Sequence, residues 1–345
     1  MTGVTYKCPS CGGYLAFDPE TQRWKCPFCD SAFDEGELTE KDHASAQAAS
    51  YPGEGGQVVY RCPSCGSEIM TDETTVSTHC YYCHSPVVLE GKLTEEWLPD
   101  TVIPFSIDKA QAVETFMKWV KGKHYVPNAF FSKAQVENMR GVYYPHFVTE
   151  CEVEGAVDGE GCNISVRQTA KEVITSTHHF HVRREGLLRF QNLMRPALKK
   201  ANRKLSDGIH PFPLENEKPF SGSYLTGFLA ERRDIDQSEI LPDIENEVAG
   251  YVEPLLSNSL HYDRLHVSPS SRVTKSRSRY VLLPTWVLTY PNKNNPDDPY
   301  YYAMNGCTGE ICGKLPVDKS KLRRKALIVF AAVLAIGCML SYFLF

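Results

Sequence analysis

Eight cysteines fall into four Cys-x-x-Cys pairs, and the pairs repeat. Cys8-Pro9-Ser10-Cys11 is followed after fourteen residues by Cys26-Pro27-Phe28-Cys29, and Cys62-Pro63-Ser64-Cys65 after fourteen by Cys80-Tyr81-Tyr82-Cys83. Tyr6-Lys7 and Tyr60-Arg61 precede the two blocks, and Gly12 and Gly66 follow the first pair at the same place, which marks an internal repeat. A Cys-x-x-Cys turn delivers two thiolates from one knuckle, and two such turns fill the tetrahedral sphere of a zinc ion. No position is left for water, so the predicted role is structural. The candidate ligands of two Zn2+ ions are Cys8, Cys11, Cys26 and Cys29 in one site, and Cys62, Cys65, Cys80 and Cys83 in the other. A redox dithiol is the competing reading of such pairs, and the duplicated spacing argues against it. Iron in a rubredoxin-like site would use the same ligands.

A ribbon this small buries little apolar surface, so the metal supplies most of its folding energy. Trp24, Phe28 and Phe33 are expected to form the small core of the first ribbon, with Tyr81, Tyr82 and Val87 as counterparts in the second. His79 and His84 adjoin a sphere that is already full and are read as bystanders.

Many zinc ribbons bind nucleic acid, but the charges here oppose it. The first ribbon sets Lys7, Arg23 and Lys25 against Asp18, Glu20, Asp30 and Asp34; the second sets Arg61 and Lys92 against Glu68, Asp72, Glu73 and Glu90. Four thiolates on a divalent ion add negative charge to each. The whole chain carries 37 Lys+Arg against 42 Asp+Glu, a formal charge of -5 over 345 residues, and offers phosphate no broad attraction.

The elements that must hold these sites divide the chain as follows. Residues 1–34 are the first ribbon, 35–57 a flexible linker with a transient helix around Leu38 to Ala49, and 58–93 the second ribbon, the two ribbons moving independently. Residues 98–316 read as an α+β middle domain with a mainly antiparallel sheet. Asp108 caps a helix running to Lys121, Ser132 opens a second that ends at Gly141, and Leu241 to Leu260 form a third interrupted by Pro254. Strand-like runs cover Val142 to Val153, Asn163 to Arg167, Glu172 to Arg183, Tyr280 to Tyr290 and Tyr300 to Met304, and Asn305-Gly306-Cys307-Thr308-Gly309 reads as a hairpin turn.

Chemistry is sparse in this region. His179 and His181 share a strand face, yet lack a third ligand at a readable spacing. Cys151, Cys162, Cys307 and Cys312 read as independent buried thiols, with a third four-cysteine site as the alternative. No phosphate loop, nucleophile elbow or dinucleotide fingerprint is present, so no enzyme activity and no small-molecule substrate are expected.

Residues 317–325 form a basic collar of Lys319, Lys321, Arg323, Arg324 and Lys325. The following 326–345 carry no charge, proline or amide, which predicts a transmembrane helix with Tyr342, Phe343 and Phe345 at the far interface. By the positive-inside rule the protein is then a single-pass, tail-anchored cell-membrane protein whose N-terminal domains are cytoplasmic. The N-terminus carries no apolar signal segment, so the thiols are expected to be reduced.

Together with the cysteine repeat, the motifs Tyr224-Leu225-x-Gly227-Phe228, Leu283-Pro284-x-Trp286 and Asn305-Gly306-x-Thr308-Gly309-x-x-x-Gly313-x-x-Pro316 resemble YdjG-like bacterial proteins. These are double TFIIB-type zinc-ribbon proteins with a membrane anchor. The resemblance implies a part in phage-shock (PspA-type) membrane-stress systems, with PspA-type and flotillin-like proteins as partners. The expectation is therefore a zinc-ribbon adaptor that recruits soluble proteins to the cytoplasmic face of a membrane. A membrane-held nucleic-acid-binding regulator is the alternative.

Overall fold

The computed structural model describes residues 2–38, 43–47, 51–52, 57–123, 125–127, 130, 132–169, 171–201, 203–290, 292, 295 and 300–344. The cysteine-rich part carries strands β1 (Thr2–Tyr6), β2 (Ala16–Asp18), β3 (Arg23–Lys25), β4 (Ala32–Phe33), β5 (His43–Gln47), β6 (Tyr51–Pro52), β7 (Gln57–Arg61), β8 (Glu68–Asp72), β9 (Thr75–His79) and β10 (Pro86–Val88). The middle of the chain adds β11 (Thr101–Val102), α1 (Lys109–Lys121), α2 (Lys133–Glu137), β12 (Arg140–Gln168), β13 (Val173–Pro196) and α3 (Arg203–Asp207). It continues with β14 (Lys218–Pro219), β15 (Leu229–Glu231), α4 (Gln237–Ser257), β16 (Arg264–Tyr290), β17 (Tyr300–Asn305), β18 (Ile311–Lys314) and α5 (Lys319–Leu344).

One sheet joins the middle of the chain to both ribbons, while β2-β3-β4 and β6-β7-β8 form two small sheets of their own. Its order is β14-β11-β16-β12-β15-β9-β10-β1-β5, with β13 on β12, and β17 and β18 continuing from β16. The middle sheet thus passes through β15 into β9 and β10 of the second ribbon, and from there into β1 of the first. The pairings Ala230↔Ser77, Val87↔Thr78 and Val4↔Val88 make those steps. Pairing is mainly antiparallel, with β11–β16 and β12–β15 parallel, and strands outweigh helices, which corrects the expected α+β fold with a terminal spanning helix.

The ribbons therefore do not move independently. Trp24 is buried, donates its indole N–H to Ser223 O at 2.8 Å, and packs with Phe17 on Tyr224. Gln22 Nε2 reaches Phe105 O at 2.8 Å, and Ser77 Oγ donates to Leu225 O and Phe228 O. Within the linker, where a transient helix was expected, His43–Gln47 is a strand on β1. The rest of that helix expectation, at 39–42 and 48–49, lies outside the described residues.

β12, β13 and β16 build a long three-stranded arm. Runs expected as separate strands fuse here because alternating side chains find a helix on one face. α4 lays Ile240, Ile244, Val248, Val252 and Leu256 onto that face, where a Cβ on Gly155 would meet the Val252 side chain at 3.0 Å. Both Pro242 and Pro254 lie inside the continuous helix. Two prolines cost roughly 3 kcal/mol each, whereas five buried aliphatic side chains contribute about 1.5–3 kcal/mol each, so burial wins and the expected break at Pro254 does not occur. α1 has the expected Asp108 N-cap, closed into a capping box by Gln111, while α2 opens at Ser132 and stops at Glu137, because Arg140 already pairs with Val287.

The expected membrane-spanning helix at 326–345 is not borne out, and with it falls the single-pass, tail-anchored placement. Among the described residues no helix is long and apolar enough to cross a membrane. α5 spends its first two turns on the basic collar, held by Lys321 Nζ on Val126 O at 2.8 Å and by Lys325 over the Tyr125 ring. Tyr342, Phe343 and Phe345, expected at the far interface, have side chains outside the described residues.

Candidate metal centres and an adjoining cleft

All four knuckles are built alike. The first cysteine of each pair accepts a hydrogen bond from the amide four residues on: Gly12 N to Cys8 O at 2.8 Å, Asp30 to Cys26 at 3.0 Å, Gly66 to Cys62 at 2.9 Å and His84 to Cys80 at 3.0 Å. Its own amide donates one residue further, to Gly13, Ser31, Ser67 and Ser85. The turn forces a left-handed backbone at that fourth residue, with φ of 75°, 56°, 77° and 58° at Gly12, Asp30, Gly66 and His84. Glycine takes this conformation without cost, whereas Asp30 and His84 carry some strain. His84 is thus a structural part of the knuckle, though not a ligand.

The turns bring the eight predicted cysteines into two groups, and within each group the sulfurs lie within 4.8 Å of one another. Cys8 and Cys29 are 3.6 Å apart, Cys11 and Cys26 3.5 Å, Cys62 and Cys83 3.6 Å, and Cys65 and Cys80 3.7 Å. Four sulfurs at 2.3 Å from one ion, arranged as a tetrahedron, stand about 3.8 Å apart, so the donor sets fit two structural zinc ions. Hydrogen bonds from the Ser31 hydroxyl and amide lower Cys29 to about 6, and those of Ser67 do the same to Cys65. Amides of Ser64 and Cys65 reach Cys62, and those of Tyr82 and Cys83 reach Cys80, where they offset the residual charge of a tetrathiolate ion.

Three expected core residues are on the surface instead. Phe28, Tyr81 and Tyr82 are 67%, 71% and 72% exposed. They occupy the x positions of Cys-x-x-Cys, and a turn that aims both sulfurs at one ion aims the residues between them outward. Trp24 and Val87 are buried as expected.

The middle domain adds no third metal site among the described residues. His179 pairs in register with Cys162, while His181 Nε2 lies 3.3 Å from Asp158 Oδ1. Cys307 Sγ donates to Pro104 O and Cys312 Sγ to Lys204 O, on separate partners, and burial pushes Cys307 up to about 11.

A feature that the sequence did not announce opens beside the second centre. A cleft of about 660 Å³ is lined by Thr78 to Tyr81 and His84 from the second ribbon, and by Lys109, Met139 to Gly141, Gly227 to Leu229 and Trp286 from the middle domain, with Pro19 from the first ribbon. Its floor is apolar, with Met139, Phe228 and Trp286 buried. Gly227 and Phe228, and Trp286, belong to two of the motifs picked out in the sequence. Lys109 and Arg140 were not singled out, because nothing in the chain order connects them.

No protein-family model and no solved structure matches the chain. Over 321 residues, covering 92% of this chain and 92% of the relative, it is 29% identical and thus similar to the uncharacterized protein YdjG of Bacillus subtilis (strain 168).

Proposed function

We propose that this protein is a zinc-stapled adaptor that binds other proteins through the surface around its two metal centres. The observation that carries the reading is the pair of closed tetrathiolate clusters set into the same sheet as the middle domain. With four cysteines per ion no position is open for catalysis, so the metal serves to hold a surface rigid. That surface presents Phe28, Tyr81 and Tyr82 to solvent, and tyrosine in particular is a side chain on which protein interfaces concentrate their binding energy. PspA-type and flotillin-like proteins, implied by the resemblance, are the first partners to test.

Affinity capture with the zinc-loaded chain tests the reading against a Cys62→Ser/Cys65→Ser variant. Specific proteins should be retained by the first and lost by the second. If the two capture the same proteins in the same amounts, the adaptor reading is wrong. A low-salt titration with nucleic acid is expected to stay flat.

A further inference from the structure

The cleft beside the second centre combines two features that rarely meet by accident. Its lining includes Lys109 and Arg140 but no carboxylate. Both cations reach one backbone oxygen, Glu137 O, at 2.9 Å and 3.1 Å, and neither forms an ion pair among the described residues. Burial and the neighbouring guanidinium hold Lys109 below its ordinary range, partly opposed by Glu137. Two like charges held on one backbone oxygen, with Glu137 only partly opposing Lys109, are a standing attraction for an anion. In a chain of net charge -5 the attraction is local and therefore selective.

The cations sit exposed at the mouth, above the buried Met139, Phe228 and Trp286. Tyr81 lines the opening, and Tyr82 follows it on the same metal-held knuckle. An occupant must therefore present negative charge at the rim, an apolar group to the floor, and enough length to run out over the knuckle. Cys80 also lines the cleft as part of the second centre, and the two amides that hydrogen-bond its sulfur partly offset that centre's negative charge beside the rim cations.

We propose that this cleft docks an acidic peptide segment of a partner protein, its carboxylates on Lys109 and Arg140 and one apolar side chain on the Met139–Phe228–Trp286 floor. The proposal rests on the adaptor reading and names the chemistry of the partner. The apolar group supplies contact area, and the charges supply orientation and selectivity.

The test is fluorescence anisotropy with the full zinc-loaded chain and a labelled peptide that alternates glutamate with phenylalanine and leucine. The acidic peptide should bind in a salt-sensitive manner, and its glutamine counterpart should not. The Lys109→Gln/Arg140→Gln variant should bind roughly tenfold or more weakly, with zinc content and Tm as in the parent. If that variant loses zinc or Tm, the Lys109→Arg/Arg140→Lys variant is decisive: retained binding supports the site, and lost binding with intact zinc removes it. Equal binding of both peptides, or an unchanged Lys109→Gln/Arg140→Gln variant, overturns the proposal. So does displacement of the peptide by low concentrations of benzoate, which would mark a small-carboxylate site. The two readings fail separately. Partners captured equally by the parent and the glutamine variant would leave the adaptor standing and remove the cleft. Peptide binding without any captured partner would do the reverse.

Discussion

His146 lies buried in β12 with Nε2 2.6 Å from Ser206 Oγ and Nδ1 3.2 Å from Tyr144 O. Both ring nitrogens are occupied by neutral groups, so the site suits the uncharged imidazole, and burial pushes its pKa down to about 4 from 6.5. Above about pH 6.5 the ring is neutral folded or unfolded and pH has no leverage. Between about 6.5 and 4 the unfolded chain takes up a proton that the folded one refuses, so stability falls as pH falls, by about 3 kcal/mol over the window. His146→Gln keeps one donor and one acceptor and is expected to flatten the pH dependence of the denaturation midpoint in that window. An unchanged slope would assign the acid sensitivity elsewhere. A serine hydrogen-bonded to a histidine invites a catalytic reading, but both residues are buried, and the pair reads as a satisfied core contact. At this scale the metal ligands were legible, because a knuckle is made within a few consecutive residues. The outward turn of Phe28, Tyr81 and Tyr82 was not, since apolar character says nothing about which way a turn aims its side chains.

At the scale of elements, α4 holds the base of the arm. Its five buried aliphatics recur at intervals of four residues and cover Gly155 and Gly186, whose missing side chains let the helix approach. Ile244→Ala leaves a cavity in this seam and is expected to cost roughly 3 kcal/mol, read as a lowered midpoint in urea with zinc content unchanged. A loss of metal in that variant would mean that the seam and the ribbons are one cooperative unit. Periodicity revealed the helix and its apolar face, but it could not reveal that burial outweighs Pro254, which depends on what the helix meets. Strand alternation likewise marked pieces of β12 and β13 but not their length, because the distal arm is exposed on both faces and carries Val166, Val173, Ile174 and Phe180 in the open.

The whole molecule is organised by the sheet that runs from the middle domain into both ribbons. Independent ribbons would melt alone when stripped of metal, leaving the body intact. Here Trp24 sits at the boundary, buried and bonded to Ser223 O, so chelation is expected to red-shift tryptophan emission. It should also lower the Tm of the entire chain in a single transition, and expose β15 amides to hydrogen exchange. Two separate transitions, with β15 still protected, would contradict the coupling. None of this long-range pairing was legible in the sequence, since the strands are short and β1 and β15 lie far along the chain from β9 and β10. The tail was misjudged as well: composition alone predicted a span, whereas among the described residues no helix is long and apolar enough to cross a membrane.

The same pairing fixes an order of events during synthesis. β1 leaves the ribosome well before β10, its neighbour in the sheet, and β15 follows much later still. Each set of four cysteines, by contrast, closes within a short stretch of chain. Metal capture is then a local step that precedes the slow, distant pairings, and the loaded knuckles wait as preformed corners for strands not yet made. A nascent chain starved of zinc would hold β1 without its corner or its partners, an unpaired edge exposed for as long as translation takes to reach β5 and then β10.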